Sequence, residues 1–106
     1  MIVEHDKRIA LEFKQRVAAL TPIRQFRVFG SRTRGEATAD SDLDLFLVVD
    51  RIDAELREKI SEAAWEVGFE HDLVLSTFVM TVEQLERGPL GVSPIVRQIE
   101  KEGVGL

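Results

Sequence analysis

Residues 30–45 read GSRTRGEATADSDLDL, and this stretch decides how the rest of the chain is organised. A Gly-Ser pair opens it, directly after a strand-like run at 23–29. Two aspartates separated by one residue close it, at the start of the apolar run LFLVV at 45–49. A glycine lets the backbone approach an anion closely, and residues two apart on a strand share a face. The stretch therefore predicts a phosphate-binding turn between two strands, with paired carboxylates on the second strand.

The turn carries donors suited to a triphosphate. Gly30 has no side chain to hold a phosphate away, and Ser31 adds a hydroxyl. A short helix beginning at Ser31 would direct its free N–H groups to the same place. Two arginines follow, each with a planar fork of donors that stays charged, although both could instead be solvated loop residues. The predicted nucleotide-binding residues are Gly30, Ser31, Arg32 and Arg34.

The two aspartates, Asp42 and Asp44, are predicted to hold metal. On one face of a strand their backbones lie about 6 to 7 Å apart, which lets the carboxylates share one or two divalent cations. Without a cation they would repel and raise one another's pKa. Hard oxygen ligands favour Mg²⁺, and a two-metal site stabilises both the attacking and the leaving oxygen of an in-line displacement. An Asp-x-Asp pair alone is usually a strand entrance, so the prediction depends on the neighbouring turn.

Together these residues resemble the signature of the DNA polymerase beta-like nucleotidyltransferase superfamily. Within it, the chain is similar to minimal nucleotidyltransferases, a group that includes the antitoxin partners of HEPN-domain toxins. The resemblance covers nearly the whole chain, since residues 94–103, PIVRQIEKEG, look like the closing helix of that group. It implies an α/β fold with a small mixed β-sheet backed by helices. The residues that carry the resemblance are Gly30, Ser31, Arg32, Arg34, Gly35 and Ser41-Asp42-Leu43-Asp44.

The resemblance also implies a third carboxylate on a later strand. The matching position is Asp72, at the head of the run LVLSTFV at 73–79. Glu70 lies two residues earlier and is the less favoured alternative, because it would share a face with Asp72 only if the strand began that soon. Asp72 is therefore predicted to complete the metal ligands and to help deprotonate the acceptor.

The activity that the resemblance implies is Mg²⁺-dependent transfer of a nucleoside monophosphate from a nucleoside triphosphate to a hydroxyl. ATP is the expected donor, and a HEPN toxin is the expected acceptor, so that the chain would act as an antitoxin. Two alternatives stay open. The chain could be a non-catalytic binding module that neutralises its partner by contact alone, or it could modify a small molecule, as aminoglycoside nucleotidyltransferases do. Homo- or hetero-oligomers are both compatible with the resemblance.

Composition sets outer limits on these interpretations. A chain of 106 residues is expected to form one domain, 1–106, and the absence of cysteine excludes disulfides and thiolate metal sites. The net charge of −5 argues against general nucleic-acid binding and suits a basic protein partner. The sequence contains no stretch typical of a signal peptide or of a membrane span, so cytoplasmic residence without membrane association is the expectation.

Periodicity predicts alternating helices and strands. Phe46 and Val48 should lie on the same strand face as the aspartates, and either the terminal helix or a partner chain must cover them. Trp65 lies beside the apolar stripe of its helix, as a core-edge residue or a partner contact. The predicted elements are a helix at 4–20, strands at 23–29 and 43–49, a helix capped by Asp53 and ending at Gly68, a strand at 71–79, a short helix capped by Thr81 and stopped at 88–89, and a last helix capped by Ser93.

Overall fold

The computed structural model describes residues 2–38, 40–89 and 93–106. The predicted helices and strands occur in the predicted order, and residues 104–105 form a further short strand that was not predicted. Within them, we find no helix with the length and apolar character needed to cross a membrane. In chain order the elements are α1 (Glu4–Ala18), β1 (Ile23–Phe29), α2 (Ser31–Arg34), β2 (Leu43–Val49), α3 (Ala54–His71), β3 (Leu75–Thr81), α4 (Val82–Arg87), α5 (Pro94–Glu102) and β4 (Val104–Gly105).

The strands form one mixed sheet in the order β3-β2-β1-β4. β1 pairs antiparallel with both β2 and β4, whereas β2 and β3 are parallel, because the chain crosses from one to the other through α3. β2, which begins beside the two aspartates, is therefore an inner strand. The predicted α/β class with a small mixed sheet is confirmed.

One face of the sheet packs against α1 and α3. Alternate residues of β2 point to this side, as the period of a strand requires. The buried cluster there includes Leu43, Leu45 and Leu47 of β2, Ile9 and Phe13 of α1, and Ile60 and Val67 of α3. Burial of these side chains supplies the main apolar contribution to the stability of the fold.

The opposite face carries a smaller apolar cluster beside the aspartates. Phe46 and Val48 of β2 are fully buried in it. Val96 and Ile99 of α5 cover them, with Met80 of β3 in the same cluster. The terminal helix is thus the element that shields this face, one of the two covers expected from the sequence.

Three helix caps match their predictions. Asp53 accepts from the amide of Leu56 at 2.8 Å, and Thr81 forms a reciprocal capping box with Gln84. Ser93 accepts from the amide of Val96 at 3.4 Å. These caps set where α3, α4 and α5 begin, because each satisfies an amide that has no partner within its helix. The first helix ends at Ala18, two residues before the predicted end.

The end of α3 differs from its prediction. The helix continues past Gly68 to His71, and Asp72 then adopts a left-handed conformation with φ 53°. The amide of Leu73 donates to the Gly68 carbonyl at 2.9 Å, which is the hydrogen bond of a Schellman ending. Gly68 is needed for close packing, since a β-carbon there would overlap the Leu73 carbonyl. The prediction of a strand at 71–79 was wrong at its start, because this ending delays β3 to Leu75.

Candidate active site

The turn after β1 has the predicted geometry. A single helical turn, α2, begins at Ser31, and the two glycines that flank it both have positive φ, 82° at Gly30 and 74° at Gly35. Such values suit glycine because it has no β-carbon. Thr33 closes the turn, with its amide and its hydroxyl both donating to the Gly30 carbonyl, at 3.1 and 2.7 Å. The backbone path at Gly30 and Gly35 is therefore one that other residues adopt only under strain.

Gly30 also makes room for a carboxylate. Phe29, the last residue of β1, is paired with Asp44 of β2, so the turn begins beside that aspartate. A β-carbon built on Gly30 would overlap Oδ2 of Asp44. The turn and the carboxylate are thus in direct contact, which sequence spacing alone did not specify. This contact joins the two halves of the predicted site.

The electrostatics of Asp44 fit a cation site. Partial burial raises the pKa of Asp44 above its ordinary value of 3.8, and the neighbouring charge of Asp42 raises it further. The positive charge of Arg34 acts in the opposite direction. Burial is the larger cause, whereas the sequence had pointed to repulsion between the two aspartates. A hard divalent cation would offset both costs, because it favours the charged form of each carboxylate.

Asp72 lies at a different place from the one that its sequence position suggested. It ends α3, and its exposed side chain lines a groove together with Ser41 and Val74. The groove borders the start of β2, since the Leu43 amide donates to the Val74 carbonyl at 2.9 Å. Across the described residues, Asp42, Asp44 and Asp72 do not bring their ligand atoms within 4.8 Å of one another. The role of Asp72 as a third metal ligand stays a prediction.

Glu70 faces a different part of the molecule. Its carboxylate lies 3.5 Å from the guanidinium of Arg16 on α1. Its ligand atom groups with those of Glu12 and His71, and His71 in turn bonds Glu12 at 2.6 Å. These residues tie the end of α3 to α1 at the surface. Glu70 is thus engaged with α1 at the surface, whereas Asp72 lines the groove with Ser41, and the choice between them as the third carboxylate stays a prediction.

Arg32 is engaged within the fold. Its Nη1 lies 3.1 Å from both carboxylate oxygens of Asp6, and both side chains are largely buried. Its Nε donates to the carbonyl of Ser41 at 2.9 Å, and its Nη2 donates to that of Thr38 at 3.5 Å. The guanidinium thus connects α1, α2 and the segment that leads into Asp42. Phosphate contact by Arg32, predicted from the sequence, stays untested.

Arg34 is the more exposed of the two arginines. It lies 3.4 Å from Glu36, and its charge acts on Asp44. With Gly30 it lines a cavity of about 200 Å³ that α5 closes on the other side, through Ile95 and Gln98. The sequence analysis missed these α5 residues as part of the site. The amphipathic spacing of α5 showed which side is apolar, but it did not show where the helix would pack.

The raised pKa of Asp44 leads to a prediction about the metal-free protein. A carboxyl whose folded-state pKa is raised costs stability above its unfolded pKa, and the cost disappears as the pH falls below both values. In EDTA, we expect Asp44→Asn to melt higher than the wild type at neutral pH, and the two melting temperatures to converge below about pH 3.8.

The control for this melting experiment is Asp50→Asn, at the other end of β2. The hydrogen bond from Arg24 lowers the pKa of Asp50, so neutralisation of Asp50 should lower the melting temperature at neutral pH.

Mg²⁺ with AMP-PNP should reverse the order of wild type and Asp44→Asn, because we expect only the wild type to bind the ligand well. A wild type that melts higher than Asp44→Asn in EDTA would contradict the proposed electrostatic strain.

Comparison with known proteins gives a family match and similar folds. Residues 7–106 match the model of a family described as nucleotidyltransferase domain. The fold is similar to a crystal structure of a toxin-antitoxin with AMP-PNP, with a TM-score of 0.62 and 18% identity over 94% of this chain and 70% of that one. It is also similar to a double Asp-to-Glu mutant of the toxin-antitoxin MntA-HpeT, with a TM-score of 0.60 and 15% identity over the same shares. No curated protein gives a significant match.

The match to the family model covers nearly all of the sequence and includes both the turn and the paired aspartates. The mixed sheet with its helices is the polymerase beta-like fold that the sequence resemblance implied. The chain belongs to the nucleotidyltransferase domain family.

Proposed function

We propose that this protein is an antitoxin of the cytoplasm that transfers AMP from ATP to a hydroxyl of a HEPN toxin. The observation that carries the proposal is the contact between the Gly30 turn and the carboxylate of Asp44. It places a surface suited to phosphate beside ligands suited to a divalent cation. Only a reaction at a nucleotide phosphate needs both of these in one place.

The proposed reaction breaks a phosphoanhydride bond of ATP and forms a phosphate ester with the acceptor hydroxyl. The acceptor oxygen bonds to the α-phosphorus of ATP, the bond from that phosphorus to the α,β-bridging oxygen breaks, and pyrophosphate leaves. The hydroxyl proton passes to a carboxylate, for which we propose Asp72. Asp42 and Asp44 would hold one or two Mg²⁺ ions, which supply positive charge to the phosphates when bound.

The residues of the turn have two different roles in this proposal. Gly30, Ser31 and Arg34 contact the triphosphate, since they border the cavity or the turn beside Asp44. Arg32 acts as a positioning residue, because its contacts with Asp6 and Ser41 hold the segment that precedes Asp42. We therefore propose positioning, and not phosphate contact, as the main role of Arg32.

The structural relatives support the choice of donor and partner. One of them is described as a toxin-antitoxin with AMP-PNP, an ATP analogue. The other carries two Asp-to-Glu substitutions two positions apart, the same spacing as that of Asp42 and Asp44. We therefore propose ATP as the donor and a toxin as the acceptor. The HEPN class of toxin comes from the sequence resemblance.

A non-catalytic antitoxin is the second candidate. It is favoured because, among the described residues, the ligand atoms of Asp42, Asp44 and Asp72 do not all lie within 4.8 Å of one another, whereas three converging carboxylates are expected of the enzyme. In this alternative the chain neutralises its partner through contact alone, and the nucleotide serves at most as a ligand.

The two candidates differ in stoichiometry. With ATP labelled at the α-phosphate, Mg²⁺ and an excess of toxin, we expect label on the toxin and loss of toxicity at substoichiometric antitoxin, because an enzyme turns over. The inactivated toxin should stay inactive after the two proteins are separated. In a parallel reaction with ATP labelled at the γ-phosphate, label on the toxin would indicate a kinase instead. Neutralisation that needs one antitoxin per toxin and no ATP would support the binding module.

A further inference from the structure

A groove of about 940 Å³ lies between α3 and β3, the edge strand of the sheet. Trp65 and Phe69 of α3 form one wall, with their rings stacked at 5.2 Å between centroids and 15° between planes. Their exposures are 68% and 75%, and Val74 on the opposite wall is 63% exposed. The groove continues to Asp72 and Ser41.

Exposed aromatic residues in this arrangement are typical of binding surfaces. Two large rings stacked on each other in solvent offer a rigid apolar platform at little cost in conformational entropy. Contiguous apolar patches of this kind mark interaction sites more often than scattered single residues do. Trp65 is exposed and is not a core residue, and its role as a partner contact is part of the proposal made below.

The groove lies beside the segment that leads into the paired aspartates. β2 carries the paired aspartates and lies between β1, which leads into the Gly30 turn, and β3, which borders the groove. Ser41 lines the groove and directly precedes Asp42. The cavity beside Gly30 and Arg34 thus lies toward the β1 side of β2, and the groove lies toward its β3 side. An in-line displacement needs the acceptor and the leaving group on opposite sides of the phosphorus.

The charge of the groove indicates which kind of ligand it favours. Of the described residues that line it, Asp40 and Asp72 are acidic and none is basic. Glu58 and Glu62 lie seven and three residues before Trp65, on the same side of α3. This surface repels a triphosphate and favours a segment that carries Lys or Arg.

The edge of β3 suits an extended chain. Because Val74 directs its carbonyl to β2, the backbone groups of the alternating residues Leu75 and Thr77 point away from β2. Unpaired backbone groups of an edge strand can accept an added strand, which a small ligand does not supply. Apolar walls, acidic rims and an edge strand together fit a protein segment.

We propose that this groove docks the acceptor protein, through a segment with basic and apolar side chains that brings the hydroxyl to the paired aspartates. The inference rests on the proposed function and names the surface that the toxin would use. In this proposal the nucleotide binds on the other side of β2. The nucleotide and the acceptor protein therefore contact different residues.

The apolar part of the proposal is tested with Trp65→Ala/Phe69→Ala. The matched control is Val3→Ala/Leu20→Ala, which also truncates two exposed apolar residues. Toxin affinity is measured by calorimetry without nucleotide, so that no transfer occurs, and Mg²⁺·AMP-PNP affinity is measured separately. We expect the groove variant to bind toxin at least about tenfold more weakly and the control to match the wild type. Affinity for the nucleotide analogue should stay within about twofold of the wild type in both variants.

The charge part is tested with Glu58→Lys/Glu62→Lys against Glu83→Lys/Glu86→Lys, which changes the net charge by the same amount. Glu83 and Glu86 are exposed residues of α4, whose apolar side packs on the other face of the sheet. We expect the α3 variant to associate with toxin more slowly at low salt, and the difference to shrink as salt rises, because rim charges act on encounter. Equal effects of the two variants would contradict charge complementarity at the groove.

Several outcomes would overturn the proposal. One is unchanged toxin affinity in Trp65→Ala/Phe69→Ala, and another is a wild type that binds no toxin. Weaker AMP-PNP binding with unchanged toxin binding would make the rings a nucleotide platform. A wild-type dimer that the substitutions convert to a monomer, with toxin binding intact, would make the groove a self-association surface.

The docking surface and the proposed catalysis can fail separately. If the groove variant loses toxin affinity but the wild type transfers no label, only the catalytic proposal fails. If the wild type transfers label and the groove variant keeps the same KM for toxin, only the docking proposal fails.

Discussion

Asp42→Asn and Asp44→Asn are each expected to lower AMP transfer by at least about a thousandfold. Each substitution removes a negative ligand charge while keeping the size of the side chain, and metal stabilisation of phosphoryl transfer contributes several kcal/mol to the barrier. Asp42 is exposed and Asp44 half-buried, so neither substitution empties a packed core. Initial rates with α-labelled ATP measure the loss, and circular dichroism with thermal melting checks the fold.

Asp50→Asn is the matched control for these substitutions. Asp50 directly follows the other end of β2, where its exposed carboxylate pairs with Arg24 at 2.7 Å. Its neutralisation should leave transfer within about twofold of the wild type, because surface ion pairs contribute little and Asp50 lies away from the turn. If Asp44→Asn kept the wild-type rate in a folded protein, the assignment of the two aspartates as metal ligands would be abandoned.

Arg32→Ala is expected to lower stability by about 3 to 5 kcal/mol, because it leaves the carboxylate of Asp6 buried without its partner. Asp6 is 2% exposed, and Nη1 of Arg32 contacts both of its carboxylate oxygens. For a chain of this size the loss corresponds to a fall in melting temperature of more than about 10 °C. Urea unfolding monitored by circular dichroism measures it.

Arg34→Ala is the control for Arg32→Ala, since Arg34 is exposed and its contact to Glu36 lies at the surface. We expect it to change stability by less than about 1 kcal/mol and to raise the KM for ATP. The double variant Asp6→Asn/Arg32→Ala should lose less stability than the two single losses combined, because the pair acts as a unit. A fully stable Arg32→Ala with a raised KM for ATP would return Arg32 to phosphate binding.

Local features of the sequence predicted much of the fold. Alternation along 43–49 assigned Leu45 to one core and Phe46 to the other, and both residues are buried there. The capping side chains Asp53, Thr81 and Ser93 marked where three helices begin. Such signals work because each depends on residues within one turn or one strand, where covalent connection already sets the distances.

Contacts that no local pattern showed accounted for what the sequence did not predict. Arg32 was predicted to bind phosphate, or else to be a solvated loop residue, because its partner Asp6 is 26 residues away. The end of α3 moved from Gly68 to His71 because Gly68 packs against the Leu73 carbonyl instead of ending the helix. The first difference arises from a buried ion pair between two elements. The second arises from close packing, which overrides the tendency of a glycine to end a helix.

The sequence by itself determined the family of this protein: a Gly-Ser turn, two arginines and an Asp-x-Asp pair are at a spacing typical of a nucleotidyltransferase domain. Only the tertiary structure showed how these parts are arranged. It placed Asp44 against Gly30, buried Arg32 on Asp6, and left Trp65 in solvent beside an acidic groove. Residue types and short spacings set which bonds a segment can make, whereas burial and long-range pairing determine which of those bonds form.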